Sequence, residues 1–293
     1  MQSECLCGRI KNRLNISEEN MAQPNTIQPW KGYIKPCRIF GNLYFVGTEP
    51  ASTHIIETGD GLIMLDSGYQ HSLYIVIHNM HLVGLNPLDL KYIIHTHGHI
   101  DHFGATRALV ELTGAKTFIG RPDRDYANGR LDLSYAKELG MEFAETFEPD
   151  VLIDDGDIIE LGNTKIKAVS TPGHTPGAMS YFFDVTDGKE VFRAGLHGGM
   201  GINTMCRDFL DKYGLPYSLR DDFKRSMLRL NEEKVDVFLG NHMYHNATKE
   251  KARRVENGDA YAFVVPDEWR KYNLWCIDNL NNMIESENKS HEA

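Results

Sequence analysis

A turn crowded with metal-type side chains directly after an apolar strand constrains this chain more than any other feature. The run is His95-Thr96-His97-Gly98-His99-Ile100-Asp101-His102, and it follows the buried-strand pattern Leu90–Ile94. Imidazole nitrogen and carboxylate oxygen together suit a borderline-soft divalent ion such as zinc. Between His97 and His102, four such groups fall within six residues. They can serve two ions only if the backbone bends around them. His97 and His99 can share one side of an extended turn, while Asp101 and His102 reach a second ion as a helix starts. Gly98 permits tight backbone approach, and Ile100 anchors the loop in the core.

Two further histidines stand in matching local settings. His174 lies in Ser170-Thr171-Pro172-Gly173-His174-Thr175-Pro176-Gly177, after a strand pattern at 165–169. His242 follows a strand pattern at 235–239 and the Gly240-Asn241 turn. Adding both gives three protein ligands for each of two ions, with positions left for water and substrate. The bland alternative is a set of turn histidines that bind nothing, or one structural zinc. It suits an isolated histidine, whereas six of the 13 histidines here belong to this constellation or its immediate cluster. Asp66, after the strand pattern 61–65, and His95 are candidates to hydrogen-bond and orient a ligand.

The remaining chain alternates strand and helix signals. Strand patterns occupy 39–46, His54–Glu57, 61–65 and 116–119, then a β-rich stretch from 151 to 194. Amphipathic or helical patterns fall at 72–83, 104–113, 219–231, 248–257 and 268–286. Such alternation favours sheets covered by helices over a helical bundle. The expected organisation is an arm at 1–35, one composite domain at 36–282, and a polar tail at 283–293. Residues 121–150, interrupted by Gly129 and Gly140, read as an insertion at a substrate pocket.

Composition narrows the partners. The 41 acidic against 31 basic residues give a formal charge of -10, and no basic stripe is visible, so nucleic acid is not an expected partner. No apolar run reaches the length of a membrane span, and no signal-peptide core is apparent, so a cytoplasmic location is expected. Five scattered cysteines, Cys5, Cys7, Cys37, Cys206 and Cys276, do not form a disulfide framework. The aromatic helix pattern at 268–286 is expected to pack the domain or to form a homo-oligomer interface.

With His97-Gly98-His99-Ile100-Asp101-His102, His174 and His242 assembled, the chain resembles the metallo-β-lactamase-fold hydrolases from about Ile39 to Asn282. Gly41-Asn42-Leu43-Tyr44-Phe45-Val46-Gly47, Leu65-Asp66-Ser67-Gly68 and Gly240-Asn241-His242 carry the likeness further. The resemblance implies an α/β, four-layer αβ/βα sandwich of two apposed mixed sheets flanked by helices. It assigns one Zn2+ to His97, His99 and His174, and a second to Asp101, His102 and His242. Within the superfamily the chain is most similar to the lactamase subclass with an Asp-His-His second site.

The implied activity is zinc-dependent hydrolysis of a small carbonyl substrate, anionic in character, by β-lactamase-like opening of an amide ring. Asp101 is expected to assist proton transfer. A lactonase or carboxylic-ester hydrolase is the enzymatic alternative; a metal-dependent binding or regulatory protein is the other. One departure from the family pattern bears on substrate. Where phosphodiesterase- and glyoxalase-like relatives place a metal-bridging Asp, this chain has Leu196, which cannot bridge ions. The adjacent His197 is a candidate catalytic or substrate-contacting residue.

Overall fold

A strand buried on both faces reads as an uninterrupted apolar run, and Leu62–Leu65 is one such strand. In the computed structural model, which describes residues 28–141 and 144–291, the strands build two sheets. The first holds β1 (Cys37–Phe40), β2 (Leu43–Phe45), β3 (His54–Glu57), β4 (Leu62–Leu65), β5 (Leu90–Ile94), β6 (Lys116–Gly120) and β7 (Val151–Ile153), side by side in that order. Pairing is antiparallel from β1 to β4 and parallel from β4 to β7. The second sheet holds β8 (Ile158–Leu161), β9 (Thr164–Ser170), β10 (Met179–Thr186), β11 (Val191–Leu196) and β12 (Val237–Leu239), again in order. Only β11–β12 is parallel there.

Around the first sheet run α1 (Leu73–Leu82), α2 (Ile100–Phe103), α3 (Thr106–Thr113) and α4 (Arg124–Ala127). The later chain adds α5 (Arg207–Tyr213), α6 (Ser218–Leu230), α7 (Thr248–Glu256) and α8 (Glu268–His291). The alternation of β4 shows how the layers form. Ile63 and Leu65 enter the core between the sheets, beside Tyr181 and Phe183 of β10. Met64 faces the other way, onto Val76 and Met80 of α1 and Leu109 of α3. On the far side, Phe182 and Phe238 meet Phe223 and Met227 of α6 and Trp269 and Leu280 of α8. Each such side chain contributes about 1.5–3 kcal/mol when taken from water. Two mixed sheets lie face to face with helices outside them, the sandwich the sequence implied.

Three regions refine the expected organisation. Of the arm, residues 1–27, with Cys5 and Cys7, lie outside the described residues. The segment 121–150 folds onto the histidine turn, where Ala127, Ala136, Met141 and Phe147 pack with Ile100 and Phe103. The polar tail gives way to helix: α8 runs to His291 because its buried stripe continues at helical spacing through Trp269, Asn273, Cys276, Leu280, Met283 and Glu287. Glu287 accepts from the Arg207 backbone N–H and from Arg220, each at 2.7 Å. Cys206 is disulfide-bonded, against the expectation from cysteine spacing, whereas Cys37 and Cys276 are free. No helix among the described residues is long and apolar enough to cross a membrane.

Candidate metal centre

Four strands end on one side of the sandwich, and the segments after them carry the chemistry. Asp66 follows β4, the His95–His102 turn follows β5, His174 follows β9, and His242 follows β12. They converge as two triads. His97, His99 and His174 form one; Asp101, His102 and His242 form the other, and within each triad the potential ligand atoms lie within 4.8 Å of one another. Ring centres of His97, His99 and His174 are 4.6–4.7 Å apart. His97 of the first triad is 4.1 Å from His102 of the second, so the triads share a wall.

The tautomers are fixed from behind. His102 donates Nδ1–H to Asp66 Oδ2 at 2.7 Å, His174 to Gly201 O at 2.7 Å, and His242 to Pro50 O at 2.7 Å. His97 Nδ1 lies 3.0 Å from the Thr96 hydroxyl, which itself donates to Asp66 Oδ2 at 2.8 Å. Donation through Nδ1 leaves the Nε2 lone pair for a metal, the usual arrangement of a ligating histidine. The Nε2 atom of His97 is fully buried and has no hydrogen-bond partner, and that of His102 faces its fellow candidate ligand Asp101. Buried polar atoms are rarely left so. Three imidazoles in one group and two imidazoles with a carboxylate in the other fit divalent zinc chemistry.

Electrostatics separate the two triads. Burial drives the pKa values of His97 and His99 well below the ordinary imidazole value, and neighbouring histidines add to the effect. Burial likewise lowers His174, to about 4. At His102 burial also opposes charge, but Asp101 and Asp66 outweigh it and raise the pKa. Burial would raise Asp101, yet His102 and His242 hold it well below the carboxylate range. Its Oδ2 stands 3.1 Å from His102 Nε2 and 3.5 Å from His242 Nε2.

His95 and His197 do not join either triad. His95 is fully buried, with Nδ1 2.8 Å from Phe118 O and Nε2 2.7 Å from Thr106 Oγ1; it ties β5 to β6 and α3. For His197 the expected substrate contact is corrected. Ala194 and Leu196 point into the core between the sheets, so the next residue in period-two alternation points to the opposite face. There His197 is fully buried, 5.5 Å from the Trp269 ring of α8.

One residue that sequence reasoning missed also reaches the site. Asp123, just past β6, is fully buried and accepts from Gly98 N at 2.8 Å, Thr175 Oγ1 at 2.6 Å and Gly177 N at 2.7 Å. The available signal was its place: an Asp after a strand end, as at Asp66. Two tyrosines also meet ligands. Tyr135, from the 121–150 segment, has its ring 5.3 Å from His99, and Tyr244 stacks on His242 at 5.6 Å.

Comparison with known proteins agrees with this geometry. The family profile described as Metallo-beta-lactamase superfamily matches residues 46–187. The crystal structure of BJP-1, a subclass B3 metallo-β-lactamase of Bradyrhizobium japonicum, superposes with a TM-score of 0.80 at 26% identity, covering 91% of this chain and 99% of that one. A protein of Aquifex aeolicus is 31% identical over 141 residues, 48% of this chain and 61% of its own length. Hydroxyacylglutathione hydrolase GloC of Haemophilus influenzae is 26% identical over 168 residues, 56% of this chain and 74% of the relative. The fold is that of the metallo-β-lactamase superfamily, and the two triads match its B3-type architecture. Its clustered ligands are those of a metal-dependent hydrolase of this fold, with a dinuclear-type metal site.

Proposed function

We propose that this enzyme hydrolyses a small carbonyl substrate with two zinc ions, and that opening of a β-lactam-like amide ring is the reaction its site favours. The observation carrying this reading is the pair of adjoining triads, with Asp101 as the one anionic ligand among six. Zinc held there supplies Lewis acidity to a carbonyl and an activated water at neutral pH. The chain's own groups set the geometry. Asp66, Thr96, Pro50 O and Gly201 O orient the imidazoles, and Asp101 stays ionised between His102 and His242. Only one ligand charge offsets two divalent ions, so the centre attracts an anionic substrate. Tyr135 and Tyr244, each against a ligand ring, are placed to line the approach.

The similarity to BJP-1 supports the lactam reading. GloC is named as a hydroxyacylglutathione hydrolase, which supports ester or thioester cleavage as a second reading. Against the thioester form stands Leu196, an apolar side chain buried in the core between the sheets, at the sequence position where glyoxalase-like relatives carry a metal-bridging Asp. The test is zinc-loaded and zinc-depleted protein assayed on β-lactams, lactones, acyl esters, a glutathione thioester and phosphodiesters. Zinc-dependent lactam opening is expected. Faster lactone or ester turnover selects the second reading, and phosphodiester or thioester preference overturns the inference from Leu196.

A further inference from the structure

We infer that Asp123 is a positioning residue dedicated to the three-histidine triad, holding its two separate turns at one distance without touching a metal. It extends the metal-site reading and does not depend on which substrate is cleaved.

The three ligands of that triad come from two distant stretches. His97 and His99 flank Gly98; His174 sits beside Thr175 and three residues before Gly177. Asp123 joins the stretches through one carboxylate. Its Oδ2 accepts from Gly98 N and Thr175 Oγ1, and its Oδ1 from Gly177 N. All three donors lie next to a ligand or in its turn, and none belongs to the Asp101-His102-His242 triad. The close approach is built into the sequence. A Cβ on Gly177 would come within 2.6 Å of Asp123 Oδ1, and one on Gly98 would lie 2.7 Å from Tyr126 Cβ and 3.2 Å from Asp123 Cβ. Both positions therefore need glycine for the carboxylate to reach the backbone. A charged acceptor that receives three short bonds is a stiff connection, roughly twice as strong per bond as a neutral one.

Asparagine has the same shape but replaces one acceptor oxygen by a donor amide, which then faces at least one N–H or O–H. The turns must separate, and the His97–His99 pair loses its register with His174. Removing a group that orients ligands typically costs 10–100-fold in metal affinity.

The experiment measures zinc dissociation constants by chelator competition in full-length protein carrying one intact triad at a time. His242→Ala retains the three-histidine triad; His174→Ala retains the other. Adding Asp123→Asn is expected to weaken zinc by about 10–100-fold in the first background and by less than about twofold in the second. Thr175→Val, which removes one of the three donors, is expected to give a smaller loss confined to the first background. Asp150→Asn serves as the stability control. Asp150 accepts from Thr117 N and Oγ1 at the opposite end of β6, so its loss should lower the unfolding midpoint while leaving both constants unchanged. Equal weakening in both backgrounds, no weakening in either, or the same pattern from Asp150→Asn overturns the assignment. Failure of the wild type to bind zinc would instead count against the metal-site reading itself.

Discussion

The two triads share a wall but are held by different means. The three-histidine group is electrically neutral; burial keeps its imidazoles unprotonated, and its outer contacts are a backbone carbonyl, a hydroxyl and the Asp123 clamp on the turns. The other group contains a carboxylate and leans on a second one. Asp66 adopts a left-handed φ of 56°, a conformation that costs of order 1–3 kcal/mol for a residue with a side chain. Its return is three bonds: from Thr96 N, Thr96 Oγ1 and His102 Nδ1, at 2.7–2.8 Å. One site is thus defined by the spacing of its turns, the other by charge.

The largest test of that contrast is Asp101→Asn. It removes the single anionic ligand, so metal at the second triad should weaken by more than about 100-fold, beyond the range seen for orienting groups. The first triad should keep its zinc, and turnover should be lost. Two full equivalents retained by this variant, measured by chelator competition, would break the division into a neutral and a charged site.

A pH experiment comes next in size. Burial pushes Asp123 up to about 6 from its ordinary 3.8, although its three donors pull the other way. The folded state therefore binds this proton more tightly than the unfolded state does. The favourable contribution is complete below about pH 4 and is lost as pH rises through about 6, amounting to about 3 kcal/mol. Buried His54, lowered to about 4 by desolvation, works in the opposite sense across about pH 4 to 6.5. Denaturant unfolding of metal-free wild type and Asp123→Asn isolates the first effect as a difference. Wild type should lose stability relative to the variant between pH 4 and 7; parallel curves would show that Asp123 does not titrate there.

Asp66→Asn sharpens the comparison from the other side. Zinc at the second triad, whose His102 bonds Asp66 directly, should weaken by about 10–100-fold, and the three-histidine site, reached only through Thr96 and His97, by clearly less, the reverse of the order for Asp123→Asn. If both substitutions weaken both sites equally, the shared wall between His97 and His102 transmits more than the separate anchors suggest.

What could be read in advance follows from range along the chain. The six triad residues announce themselves through short motifs at strand ends, and apolar alternation gives the layers. Asp123 is different: its partners are 25, 52 and 54 residues away, and nothing local in Arg121-Pro122-Asp123-Arg124 records them. His197 misled because its strand-end setting matches that of a ligand. Counting alternation back from Leu196 would have turned it toward α8. The tail misled through composition, since one buried residue every three or four suffices to extend a helix whose other faces are polar.

The smallest expected effect asks whether anything serves both triads equally. Tyr181 of β10 donates its hydroxyl to His95 O at 2.7 Å, joining the second sheet to the first at the root of the histidine turn. Tyr181→Phe keeps the ring in the core and leaves that carbonyl without this partner, costing about 1–2 kcal/mol. The bond sits behind the turn that supplies His97 and His99 to one triad and Asp101 and His102 to the other. It does not distinguish them. Thermal unfolding should move down by a few degrees, while the ratio of the two zinc dissociation constants stays within about twofold of wild type. A change in that ratio would mean that the distance between the sheets, and not only the anchors Asp66 and Asp123, decides how the two sites differ.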